Sequence, residues 1–351
     1  MVPALATTPL PTTFGISTIG KLLLMRIRAL MLVVLGIELA GAANAAPLEL
    51  ESKIPLGEVR GRIDHLAVDI KRHRLYVAEL GNDSIGMVDL DERKTIRTLT
   101  GFKEPQGIGY VPSSDTLYVA NAGDGSVRIF QGADLTPAGQ IALGNDADNV
   151  RVDDAAGRIF VGYGDGALAV IDAASRRKLT DISLQAHPES FQLDSSGQHI
   201  YVNVPDARQI AFVDRSANRQ IAPWSTDGLR ANFPLALDEP HARLLAIFRH
   251  PARLGAFDLH DGRLLTTANT CEDADDAFVD AKRNRVYVSC GEGFLDVLAL
   301  QGSGYVSIGK VRTASGARTA LYVSAMDRLM LAVRATGDTP ASVWVFRPTS
   351  E

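Results

Sequence analysis

One short β-type segment returns seven times along the chain: RLYVAE (74 to 79), TLYVAN (116 to 121), RIFVGY (158 to 163), HIYVNV (199 to 204), RLLAIF (243 to 248), RVYVSC (285 to 290) and RLMLAV (328 to 333). Their third residues, Tyr76, Tyr118, Phe160, Tyr201, Leu245, Tyr287 and Met330, are spaced by 42, 42, 41, 44, 42 and 43 positions. A period this regular means that one supersecondary unit is stacked repeatedly, because a single unit of this size cannot bury its own apolar face.

Each unit reads as four strands separated by turn residues. In the second, GIGYV (107 to 111) leads through PSSD to TLYVAN, then through AGDG to SVRIF (126 to 130) and on to AGQIAL (138 to 143). Asp124-Gly125, repeated as Asp165-Gly166 one unit later, is a hairpin signal. No segment after residue 46 sustains a helical period, so the chain is read as all-β. Four-stranded repeats of forty-odd residues predict a β-propeller, and seven copies predict seven blades. The last unit ends with SVWVF (342 to 346) and lacks a fourth strand, whereas LESKIPLG (50 to 57) resembles the missing one. The N-terminal strand is therefore expected to complete the seventh blade and close the ring, leaving no long unpaired edge.

Residues 1–45 differ from the repeat region 46–351. Met25-Arg26-Ile27-Arg28 is followed by an apolar stretch from Ala29 to Ala40 and by Ala43-Asn44-Ala45, the pattern of a cleaved secretory leader. The apolar run is too short for a bilayer anchor, so no stable membrane insertion is expected after cleavage, and the destination is the periplasm or the exterior. The true start of translation could be Met1 or Met25. The formal net charge of −5, more negative by two once the leader is gone, argues against nucleic acid as a partner. Two cysteines, Cys271 and Cys290, remain, and an oxidising compartment permits a disulfide between them.

YVAN at Tyr118 to Asn121, with its degenerate copies, resembles the YVTN-repeat β-propeller family. That family comprises secreted proteins in a superfamily with the haem-binding propeller of periplasmic nitrite reductases and the quinoprotein dehydrogenase propellers. The resemblance implies the fold and a secreted location, and says little about chemistry. The chain carries no repeated Trp-Asp pair and no Cys-x-x-Cys-His haem attachment.

Propeller geometry then sorts the polar residues. His73, His199, His241 and His260 fall on one face, as ordinary turn histidines, and His65, His187 and His250 on the other. Twelve positions before each anchor, at the mouth of the inner strand, stand Asp64, Gln106, Asp148, Glu189, Phe233, Asp275 and Arg318. The following positions include His65, Asn149 and Asp276. Inner strands line the axial channel, so these side chains predict a mainly acidic funnel with one arginine. The loops DADN (146 to 149) and DADD (273 to 276) lie three blades apart and are expected to face each other across it. Converging carboxylates need a cation, a proton or Arg318 as compensation. A divalent cation such as calcium on Asp148, Asn149, Glu189 and Asp275 would serve, as would a small polar or cationic ligand. The alternative is that Asp and Asn satisfy backbone N–H groups in tight loops.

The acidic run TCEDADD (270 to 276) is expected to be stapled by Cys271 to Cys290 at the end of the neighbouring strand, with its later aspartates aimed at the channel. Glu292, in the adjacent Gly-Glu-Gly turn, is either a further member or a solvated tip. Two classes of function follow. One is a binding or protein-interaction module using the funnel. The other is an enzyme: a lactonase-like hydrolase with a cation on Glu189, Asn149 and Asp148 or Asp275, or a redox protein with His65 or His187 as axial ligand to a channel-bound cofactor. No nucleophile beside a base, no Gly-x-Ser-x-Gly elbow and no His-Glu-x-x-His motif is present.

Overall fold

The seven repeats fold as seven antiparallel sheets of four strands each, in a computed structural model that describes residues 8–11 and 46–350. The leader reading falls outside the described residues, apart from 8–11. Among the described residues no helix is long and apolar enough to cross a membrane. Residues from Ala46 onward form one compact unit.

Numbered from the first anchor, blade 1 runs from the inner strand Leu66–Asp69 to the outer strand Lys94–Thr100, and blade 6 from Ala274–Asp280 to Gly304–Arg312. Blade 7 pairs Ala320–Val323, Arg328–Val333 and Ser342–Pro348 in order, and its outermost strand is Leu48–Pro55 from the other end of the chain. That strand runs antiparallel to Ser342–Pro348, with Leu48 opposite Pro348 and Ile54 opposite Val343. Arg328 and Arg347 reach across the closure to Glu51 and Glu49, and Lys53 lies over the Trp344 ring. The ring is thus closed by its own two ends.

Second strands read as continuous apolar runs because both their faces are covered by neighbouring blades. Thr116–Asn121 is buried at every position, whereas the outer strand Lys94–Thr100 is mostly exposed. All seven anchor residues are buried. The core accordingly lies between blades: Val111, Tyr118, Val127 and Ile129 of blade 2 pack on Val150, Ile159, Val161 and Ile171 of blade 3. The joint between the last and first blades is built in the same way, from Ile54, Met330 and Val343 against Leu66, Leu75 and Val77.

A polar joint recurs beside these cores. Arg72 bridges Asp69 and Asp115, each at 2.6 Å, between blades 1 and 2. Arg283 bridges Asp280 at 2.8 Å and Asp327 at 2.7 Å between blades 6 and 7. The arginine stands four residues before its anchor in both cases.

Candidate functional site: the axial cavity

The inner strands do not run straight into the channel mouth. In four blades their pairing with the second strand breaks at one place: between Pro105 and Ile108, Ala147 and Val150, Asn232 and Leu235, and Ala274 and Asp276. The residue just before or at the start of each break has a left-handed backbone: Glu104, Asp146, Ala231 and Asp273 have φ of 49, 43, 59 and 55°. The carbonyls of Glu104, Asp146 and Asp273 accept N–H groups from Ala122, Gly164 and Gly291 respectively. A bulge of this kind re-aims the side chains it displaces. The displaced residues include Gln106, Asp148, Asn149, Phe233 and Asp275. The first aspartates of DADN and DADD, Asp146 and Asp273, thus take the left-handed turn position, their side chains meeting His187 and Arg318 rather than backbone N–H groups, and the next ones, Asp148 and Asp275, lie in the displaced stretch.

Asp64, Gln106, Asp148, Glu189, Phe233, Asp275 and Arg318, one from each blade, all line a single cavity of about 270 Å³. A cavity walled by every blade lies on the ring axis. His65, Asn149 and His187 also line it, as do Arg62, Asp146, Ser190 and Arg249. Blades 2 and 3 approach closely beneath Asp148: a Cβ on Gly107 would stand 2.0 Å from the Asp148 carbonyl oxygen. Only glycine allows that contact.

The wall divides into two electrostatic sectors. Toward blades 5 to 7, Arg249 donates from Nη2 to Asp275 at 2.6 Å and from Nε to the Ala274 carbonyl at 2.9 Å, with its guanidinium 3.8 Å from the centroid of the Phe233 ring. Arg318 donates to Asp273 at 2.8 Å, and its Nε lies 3.3 Å from Asp275. Arg62 pairs with Asp64 at 2.8 Å. The expectation of one arginine is therefore corrected: three guanidiniums line the cavity, Arg249 and Arg318 on this side and Arg62 at blade 1.

The sector formed by blades 3 and 4, with His65 of blade 1 facing it, is different. Nε2 of His65 stands 3.7 Å from Asp64 and 3.8 Å from Oδ1 of Asp148, beyond hydrogen-bond reach of both. Burial pushes Asp148 up to about 7; Asp64 and Glu189 add to that, and His65 and His187 oppose it. Burial also raises Glu189 to about 7, helped by Asp275 and opposed by Arg249. Burial pulls His65 down, but the negative charge of Asp64, Asp276 and Asp148 outweighs it and the imidazole is raised. His187 lies with Nδ1 2.7 Å from the Gly164 carbonyl, which sets that nitrogen as the donor. Behind this wall two fully buried oxygens, Oδ1 of Asp148 and Oδ1 of Asn149, have no hydrogen-bond partner.

Asp276 does not line this cavity. It follows the displaced Asp275, so its side chain takes the alternate direction, and it accepts the Ala320 N–H at 2.8 Å. It instead borders a second cavity of about 310 Å³ farther along the inner strands, together with Arg151, and His65 lines both. Burial raises Asp276 to about 6, against the pull of His65.

Among the described residues, no group of three or more His, Cys, Asp or Glu side chains is gathered to hold a metal ion. Of the proposed cation ligands, Asp275 is already held by Arg249 and Arg318, so Asp148, Asn149, Glu189 and Asp275 do not form a common oxygen cage. Cys271 and Cys290 are joined in a disulfide with Cα atoms 5.9 Å apart, which ties the turn carrying Asp273 to the end of the second strand of blade 6. Glu292 is an exposed tip that accepts the Glu272 N–H. Away from the cavity, His73, His199 and His241 pair with Asp91, Asp194 and Asp238 in turns. Arg249 and Arg62 are among the cavity residues that reading the inner-strand positions misses. The available signal for Arg249 was its place beside His250, in the hairpin assigned to this face.

No family model matches the chain, and no curated protein matches it. Among solved structures, a chain of a crystal structure of the mitotic checkpoint complex superposes with a TM-score of 0.73 at 11% identity, covering 86% of this chain and 93% of that one. At that identity the likeness is one of fold.

Proposed function

We propose that this is a secreted or periplasmic propeller of the YVTN-repeat type that binds a small polar ligand in the axial cavity. The observation that carries the reading is a single cavity to which all seven blades contribute and whose lining is polar or charged at every position but Phe233. The volume is at the small end for ligand cavities and the walls are polar, which suits a compact hydrophilic solute. The secreted location rests on the leader pattern before Ala46, and the family on the YVAN-type repeats.

Thermal-shift measurements on the purified protein, with solutes grouped as amines, polyols, carboxylates and divalent cations, test the reading. A ligand at about one hundred times its Kd adds about 2.7 kcal/mol of stability. The expected result is stabilisation by one class, lost in Asp148→Ala and Asp275→Ala. If no class stabilises the protein and only a protein partner binds this face, the reading is refuted.

A further inference from the structure

Resting on that reading, we infer that the ligand carries an oxyanion, a carboxylate or a phosphate, and that Arg334, with Arg62 and Arg318, seats it in a smaller pocket beside the axial cavity. That pocket encloses about 110 Å³, and Arg62 and Arg318 line it as well as the axial cavity, so the two spaces adjoin. Its charged side chains are three guanidiniums, Arg62, Arg318 and Arg334, against one carboxylate, Asp273. All of them reach solvent: the side chains of Arg62, Arg318 and Asp273 are 50, 27 and 43% exposed, and Arg334 is an exposed residue.

Arg334 is the cation that the repeat leaves over. It follows the second strand of blade 7, four positions after the anchor Met330, as Arg249 stands four positions after Leu245 in blade 5. Arg249 reaches to the next blade and holds Asp275 at 2.6 Å. In the blade that follows Arg334 the place of Asp275 is taken by Asp64, and Asp64 is already held at 2.8 Å by Arg62. Arg318 is likewise engaged, by Asp273 at 2.8 Å and Asp275 at 3.3 Å. Arg334 therefore has no carboxylate within ion-pair distance and donates no side-chain hydrogen bond among the described residues. Its guanidinium lies against Gly316, whose φ is +77° and where a Cβ would collide with Nη2, Cζ and Nε. Glycine alone supplies both the left-handed turn and the room.

A guanidinium presents paired N–H donors that match two oxygens of a carboxylate or phosphate, and such charge-assisted bonds are the stronger kind. A cationic group would be repelled here, and a neutral polyol would leave the surplus charge uncompensated. The small volume suits the head group alone, with the rest of the solute extending into the axial cavity.

Isothermal calorimetry on the purified protein tests the inference, with glucose, gluconate and glucose 6-phosphate as a series differing in the head group, and butylammonium and calcium chloride as cations. Gluconate or glucose 6-phosphate is expected to bind one to one, the tighter of the two distinguishing carboxylate from phosphate, and glucose roughly tenfold more weakly or not at all. Arg334→Gln should weaken the anion roughly tenfold or more while leaving the urea midpoint unchanged, because the side chain has no internal hydrogen bond to lose. Asp273→Asn, at a left-handed position that asparagine accepts, removes the carboxylate that competes for Arg318 and should tighten binding. Glucose bound as tightly as the anions, or an anion affinity unchanged in Arg334→Gln, overturns the inference. If glucose, butylammonium or calcium binds and neither anion does, the small-ligand reading stands and the anionic class falls. If none of the probes binds, both fall.

Discussion

Replacing Asp148 by asparagine should stabilise the protein, and more so in alkaline than in acidic solution. The carboxyl is buried, one of its oxygens lacks a donor, and burial lifts its pKa from 3.8 to about 7. A group raised in the folded state stabilises the fold fully only below its unfolded pKa, and that contribution is lost as pH rises through the folded value. The native protein therefore loses stability from this residue between about pH 4 and about pH 7. At about 1.36 kcal/mol per pKa unit, the displacement sets a ceiling of about 4 kcal/mol at about pH 8. Asp148 is also one of the negative groups that raise the His65 imidazole, so the substitution acts on that residue as well. The expected gain for Asp148→Asn is about 1–3 kcal/mol at about pH 8, shrinking toward about pH 5, where the native carboxyl is already protonated. Urea denaturation followed by the fluorescence of the buried Trp224 measures it at both pH values. A variant no more stable than the parent at about pH 8, or a gain that does not shrink on acidification, would refute the argument. Either would mean that the ionised carboxylate is well solvated in the native state.

Three further outcomes follow from the packing. Gly107→Ala forces a methyl group against the Asp148 carbonyl oxygen, 2.0 Å from the ideal Cβ position, and should cost about 1–3 kcal/mol in urea denaturation while displacing the bulge that carries Asp148 and Asn149. Cys271→Ser with Cys290→Ser opens a link across 19 positions and should cost about 3 kcal/mol, read as a lower denaturation midpoint that reducing agent no longer changes. Ile54→Ala empties a buried site in the ring-closing strand and should cost about 2–5 kcal/mol; a loss below about 1 kcal/mol would mean that Leu48–Pro55 is not an integral strand of blade 7.

The ring was legible because its cause is repetitive. A forty-odd-residue period with turn residues at fixed offsets leaves few ways to bury the apolar second strands, and the missing fourth strand of the last repeat named its own replacement at residues 50 to 57. The positions twelve before each anchor were legible for the same reason: equivalent places in equivalent blades meet at the axis, and all seven line the cavity. What the offset could not convey was the balance of charge there. Arg249 enters from a hairpin tip four residues after its anchor and Arg62 from two residues before the inner-strand mouth, so neither belongs to the register that identified the others. Asp276 was misassigned because alternation along the strand, resumed after the bulge at Asp275, points it to the Ala320 N–H and the lower cavity. Repetition thus specifies which side chains meet, whereas single departures from the repeat decide whether a carboxylate there is neutralised. Asp275 has two guanidiniums beside it and Asp148 has none, although the two occupy the same place in their blades. The asymmetry between these equivalent positions, rather than the number of acids around the mouth, is what sets the two sides of the axis apart.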